Sequence, residues 1–229
     1  MVGIIGAMDV EVDALKSQLT EKTTEVISSI EYVRGMLGGK ETVIAKCDPG
    51  KVNAAICAQA MIMRYNPEMI INVGVAGSLS NELDIGEIAV AESSVQYDMD
   101  TSPLGDPKGF VSGIGTVEFE CDKEIVKKFI KAAENCGELK FRTGKIATGD
   151  RFVAGDDIKK EITSEFDCIA CEMEGAAIGH VCAVNNIPYG ILRAISDKAD
   201  GSSHMDYPTF TQLAAKNSVK IMNEFFKLI

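Results

Sequence analysis

The sequence predicts an α/β fold with one sheet, mostly parallel in its later part and flanked by helices, on three observations. Short apolar runs of strand length alternate with helical patterns along the chain. Two of those runs, Val2 to Ile5 and Met69 to Val73, are apolar almost throughout, as in strands buried on both faces. No Gly/Pro/Ser linker, internal repeat or low-complexity tract divides the 229 residues, so they read as a single domain, 1–229.

In order, the Val2 to Ile5 strand precedes a helix over Met8 to Leu19, with Met8, Val12, Leu15 and Leu19 on one face. Glu31 to Leu37 and Thr42 to Lys46 read as a hairpin around Gly38-Gly39. Gly50 opens a helix through Arg64 whose apolar face carries Val52, Ala55, Ile56 and Met63. The strand from Met69 runs into Gly74-Val75-Ala76-Gly77-Ser78, and another spans Glu87 to Val95. Residues 97–115, rich in Gly and Pro, show no periodicity; a loop that long in a compact domain usually touches ligand. A helix over 122–135, a strand over 140–147 and a C-terminal helix through Phe210, Leu213, Ala214, Ile221 and Phe225 follow.

The formal net charge of −11 argues against nucleic acid or an anionic membrane as partner, because counterion release needs clustered Lys and Arg. No apolar run is long enough to span a bilayer, and no secretory leader pattern opens the sequence. Seven cysteines without regular spacing fit free thiols in a reducing, cytoplasmic setting. Cys168 and Cys171 form a C-x-x-C, but positions three apart on a strand face opposite sides, so they read as core and no metal site is expected.

The densest chemistry lies between Cys168 and Asp197. Glu172-Met173-Glu174 falls where a strand-like run gives way to the small-residue helical pattern Gly175-Ala176-Ala177-Ile178-Gly179. If still extended, the two acids share a face; at a helix start, free N–H groups and the dipole would equally favour them. Downstream, Arg193 stands within the apolar run Ile191-Leu192-Arg193-Ala194-Ile195-Ser196-Asp197, with Ile195 and Asp197 on its side by alternation. A guanidinium there needs a carboxylate or polar ligand. Glu11 follows the first strand by one turn, near where strand C-termini gather, although a solvated first-turn acid is the plainer reading, as for Asp9 and Asp13. Gly74-Val75-Ala76-Gly77 could admit a ligand to the backbone or be turn chemistry; it lacks dinucleotide and P-loop spacing.

Five stretches carry a resemblance, in order along essentially the whole chain: Gly3-Ile4-Ile5-Gly6-Ala7-Met8 with Glu11; Ile71-Asn72-Val73-Gly74-Val75-Ala76-Gly77; Thr148-Gly149-Asp150-Arg151-Phe152; Glu172-Met173-Glu174-Gly175-Ala176-Ala177; and Arg193-Ala194-Ile195-Ser196-Asp197-Lys198-Ala199-Asp200. Together they resemble the 5′-methylthioadenosine/S-adenosylhomocysteine nucleosidases of the purine nucleoside phosphorylase/uridine phosphorylase superfamily. The resemblance implies a three-layer α/β/α domain around a mixed, partly barrel-like sheet, a homodimer, an adenine nucleoside substrate and no cofactor. It implies Asp197 as the general acid at adenine N7, Glu11 as the base that activates water, and Glu174 as the group holding a ribose hydroxyl. Met173 would pack beside the sugar, and Arg193 would orient the water and carboxylates. Phe152 would stack on adenine, with the backbone of Val153 and Ser196 reading the base edge or positioning Asp197. Met8, Val75, Ala76, Gly77 and Glu172 complete the implied pocket, and Tyr207 with the 97–115 loop would cover the 5′ substituent.

Two departures stand out: Val75 occupies the place of a common serine, and Asp48-Pro49 that of a glycine and an apolar residue. Cleaving an N-glycosidic bond builds positive charge on the sugar and negative charge on the base, which a carboxylate and an acid meet in turn. A phosphorylase of the same superfamily would need arginines around phosphate; only Arg34, Arg64, Arg142, Arg151 and Arg193 exist, so hydrolysis is expected. A futalosine-type hydrolase and a non-catalytic nucleoside-binding protein are the competing functions.

Overall fold

The computed structural model describes residues 1–137, 139–201 and 207–229, without the side chains of Tyr207 and Pro208. It is an α/β/α fold around one mixed sheet. Ten strands, β1 (Val2–Gly6), β2 (Thr20–Ile27), β3 (Ile30–Leu37), β4 (Lys40–Lys46), β5 (Met69–Ser78), β6 (Ile88–Gln96), β7 (Glu118–Glu120), β8 (Phe141–Thr148), β9 (Cys168–Glu172) and β10 (Tyr189–Asp197), form the sheet. Among the described residues six α-helices flank it: α1 (Asp9–Gln18), α2 (Lys51–Tyr65), α3 (Lys123–Asn135), α4 (Asp156–Phe166), α5 (Gly175–Asn185) and α6 (Tyr207–Phe226).

Strands β10, β6, β8, β9 and β5 pair in that order, and β5 pairs back to β10, closing a five-stranded barrel. From β5 the sheet continues outward through β1, β4, β3 and β2. The β10–β5, β6–β8 and β8–β9 pairs are parallel. β5 and β9 meet antiparallel through Gly77–Cys171 and Ser78–Ala170, which brings the carboxyl ends of both to one rim.

Local rules set several boundaries. The Asp122 carboxylate caps α3 by accepting the Glu124 and Ile125 amides. Asn66, Asp167 and Asn186 end α2, α4 and α5 in the left-handed conformation, where Asn and Asp are tolerated.

The structure differs from the sequence reading in several places. The β5 strand runs through Ser78, so Gly74 to Gly77 are sheet residues rather than a turn. Strand β2, TEKTTEVI, is a largely exposed edge strand without apolar alternation, and β7 and α4 were likewise not anticipated. Helix α2 buries Ala54, Cys57, Ala58, Met61 and Ile62 instead of the expected face. Small side chains let α2 pack closely, while Val52, Ile56 and Met63 point outward at 68%, 44% and 79% exposure. Leu213 of α6 is also exposed, unlike Ala214, Ile221 and Phe225. Among the described residues no helix is long and apolar enough to cross a membrane.

Candidate active site

A cleft of about 660 Å³, counting space open to solvent, lies at the carboxyl ends of β1, β5, β9 and β10 and the turn after β8, the usual ligand position in open α/β sheets. Glu11, Glu174 and Asp197 all line it, though more than 160 residues separate the first from the second.

Glu11 sits in the first turn of α1, and its carboxylate accepts from the Ala7 and Met8 amides at 2.7 and 2.9 Å and from the Val75 amide at 2.9 Å. It is therefore a buried junction between β1, α1 and β5, not a solvated acid. Burial pushes its carboxyl above the usual range, against the pull of Arg193 and those three amides.

Glu172 ends β9 and Glu174 sits at the N-cap of α5. Glu172 lines the cleft, yet both its oxygens are engaged: Oε1 accepts from Thr148 Oγ1, and Oε2 accepts from Arg193 and from the amides of Glu174 and Gly175. It fastens the helix start and Arg193 together. Glu174 is freer, with Oε1 taking the Gly50 amide at 3.1 Å and Oε2 lying 3.4 Å from Arg193 Nη2. Burial, with Glu172 beside it, pushes Glu174 up to about 7, against Arg193 and the Gly50 amide.

Arg193 is fully buried on β10 and lies behind the cleft surface. Its Nη2 donates to Asn72 Oδ1 at 2.5 Å and to Glu172, while Nε and Nη1 have no acceptor among the described residues. Burial opposes its charge, and Glu172, Glu174 and Glu11 more than restore it. Glycine is required opposite: a Cβ on Gly74 would collide with Arg193 Nη1 and come within 2.6 Å of Glu11 Oε1.

Asp197 ends β10, with Oδ2 accepting from Ser196 Oγ at 2.9 Å and Oδ1 from the Ala199 amide at 2.9 Å. A Cβ on Gly77 would stand 2.9 Å from Oδ1, so the bare backbone makes room for this carboxylate. Met8, Val75, Ala76, Gly77, Phe152, Val153, Met173 and Ser196 line the cleft with it. Among the expected site residues whose side chains are described, all but Arg193 line the cleft; the Tyr207 expectation falls on a side chain outside the described residues.

Ala7, Pro49, Arg151 and Cys171 also line it. Asn72 and Thr148, which hold Arg193 and Glu172, are not among the residues expected at the site, although an asparagine inside Ile70-Ile71-Asn72-Val73 is a legible polar anomaly. No described residue of 97–115 reaches the cleft of its own chain, and Leu104 at its tip is 83% exposed.

Fold and site together define the class. The profile of the Phosphorylase superfamily matches residues 1–227. A 5′-methylthioadenosine/S-adenosylhomocysteine nucleosidase of Staphylococcus haemolyticus is 34% identical over 230 residues, covering 100% of each chain. The crystal structure of the Neisseria meningitidis nucleosidase of that name, in complex with methylthio-immucillin-A, superposes with a TM-score of 0.96 at 31% identity, covering 100% of this chain and 99% of that one. Futalosine hydrolase of Helicobacter pylori superposes at 0.94 with 30% identity, covering 100% and 97%. The chain belongs to the 5′-methylthioadenosine/S-adenosylhomocysteine nucleosidase family.

Proposed function

We propose that this protein, working as one catalytic unit over residues 1–229, hydrolyses the N-glycosidic bond of 5′-methylthioadenosine and S-adenosylhomocysteine. Adenine and the 5-thioribose product are released, with 5′-deoxyadenosine as a third substrate; the chemistry suits methionine salvage and removal of a methyl-transfer by-product. The observation that carries this reading is the convergence of Glu11, Glu174 and Asp197 on one cleft. Asp197 gives a proton to N7 as the C1′–N9 bond breaks, and Glu11 takes one from the water that adds to C1′. Glu174 accepts from a ribose hydroxyl, Met8 and Met173 flank the sugar, and Phe152 covers the base. Arg193 holds the carboxylates from behind the cleft and orients the attacking water through Glu11.

Purified protein should release adenine from 5′-methylthioadenosine without added phosphate. A strict phosphate requirement would move the assignment to a phosphorylase, which the cleft disfavours because Arg151 is its one arginine among the described lining residues. Faster cleavage of futalosine would favour the second reading, which the Helicobacter pylori neighbour supports. No release from any nucleoside would leave a binding role.

The raised Glu174 gives a pH test. Its folded-state value of about 7 exceeds the ordinary 4.5, so its contribution to stability falls as pH rises through that window. A ribose hydroxyl instead favours the carboxylate. KM should therefore climb roughly threefold or more from pH 7.5 to 6, and Glu174→Gln should flatten the trend. A wild-type KM flat across this range would remove Glu174 from sugar binding.

Homodimerisation is supported by the outward apolar side chains Val52, Ile56 and Met63 of α2 and Val184 of the adjacent α5. Sedimentation equilibrium at twice the chain mass is the expected result; a monomer would refute it.

A further inference from the structure

Lys51, Asp98 and Asp150 close a ring of hydrogen bonds outside the cleft. Lys51 Nζ donates to Asp98 Oδ1 at 2.6 Å, the Asp150 amide donates to Asp98 Oδ2 at 2.9 Å, and the Lys51 amide donates to Asp150 Oδ1 at 2.7 Å. Three segments distant in sequence are thereby fastened: the start of α2, the start of 97–115 and the turn after β8. A fully exposed ion pair would contribute little, but these side chains are only 18% and 29% exposed and the same carboxylate also holds a backbone amide.

Two of the three members adjoin residues that line the cleft or hold one that does. Gly50, next to Lys51, gives its amide to Glu174 Oε1 at 3.1 Å. Its φ of +107° suits glycine, and a Cβ there would stand 3.2 Å from Asp150 Oδ1, so the two turns approach closely at this point. Arg151, Phe152 and Val153, immediately after Asp150, line the cleft. Asp98 itself does not line the cleft.

We propose that Asp98 is a positioning residue for the reaction, its carboxylate setting, through Lys51 and Asp150, how the Gly50 turn that holds Glu174 is placed relative to the turn that carries Phe152 and Val153 into the cleft. The kinetic part of this inference rests on the nucleosidase reading; the structural part does not. Loosened turns lower substrate and transition-state binding together, so the cost falls on KM more than on kcat.

The test uses the full chain carrying Asp98→Ala, Asp98→Asn or Lys51→Met. In Asp98→Ala, KM for 5′-methylthioadenosine should rise roughly tenfold while kcat changes less than about threefold. Asp98→Asn should recover part of the loss, because its amide oxygen still accepts one of the two donors. Asp98→Ala combined with Lys51→Met should be little worse than Asp98→Ala alone, since both break one ring. Amide hydrogen exchange over 49–53 and 149–153 should quicken in the variants, with α3 unchanged, and this readout needs no substrate. If wild-type protein cleaves no nucleoside, the functional reading fails while exchange still decides the ring. If Asp98→Ala does not fold, Asp98→Asn and Lys51→Met carry the same measurements. Unaltered exchange, or KM within about twofold of wild type in a folded variant, overturns the proposal.

Discussion

Asp197→Asn should abolish nearly all adenine release while leaving the protein folded and able to bind nucleoside. Asparagine has the same shape, and its carbonyl can keep the Ala199 amide that Oδ1 now accepts. The Ser196 hydroxyl, which donates to Oδ2, can rotate and accept from the new NH₂ instead. What the amide lacks is a proton to deliver as the glycosidic bond breaks. A positioned proton transfer is worth about 10²–10⁴ in rate, so kcat should fall by that factor with KM little altered. The checks are chromatographic quantification of free adenine, binding of 5′-methylthioadenosine by calorimetry and the thermal midpoint. Activity above roughly one-tenth of wild type, in protein of unchanged midpoint, would show that the base leaves without help from Asp197.

Much of this site was legible because its chemistry conflicts with local apolar pattern. Arg193 inside a run of Ile, Leu and Ala must be paired, and the structure supplies Glu172, Glu174 and Asn72. Asn72 sent the same signal from β5 and went unread. The ambiguity between Glu172 and Glu174 was real in sequence, because backbone conformation decides it. Glu172 finishes a strand and spends its oxygens on amides, Thr148 and Arg193, whereas Glu174 stands at the helix entrance facing the cleft.

The differences between pattern and structure have one physical root. Hydrophobicity tells which side chains can be buried, not which neighbour buries them. On α2 the bulkier Val52, Ile56 and Met63 suggested the core face, but the core takes Ala54, Cys57, Ala58, Met61 and Ile62. β2 escaped notice because a polar edge strand is specified by its partner β3 rather than by its own alternation.

Arg193→Met should be the most destabilising single change at this site. The guanidinium is fully buried and stands among Glu172, Glu174 and Glu11, so removing it leaves carboxylates confined with no compensating cation. Breaking a buried ionic cluster by deleting one partner costs about 3–5 kcal/mol, which for a chain of this size lowers the thermal midpoint by roughly 10 °C. The sign of the pH dependence follows from Glu11 and Glu174, both already raised above the ordinary range. Without Arg193 the folded state binds protons at these groups still more tightly than the unfolded chain does. Stability of the variant then declines as pH rises, and its deficit against wild type is larger at pH 8 than at pH 5.5. Differential scanning calorimetry of both proteins across that range measures the deficit directly. An equal deficit at both ends would mean that Arg193 serves as packing volume, and the electrostatic account of the acid cluster would fall with it.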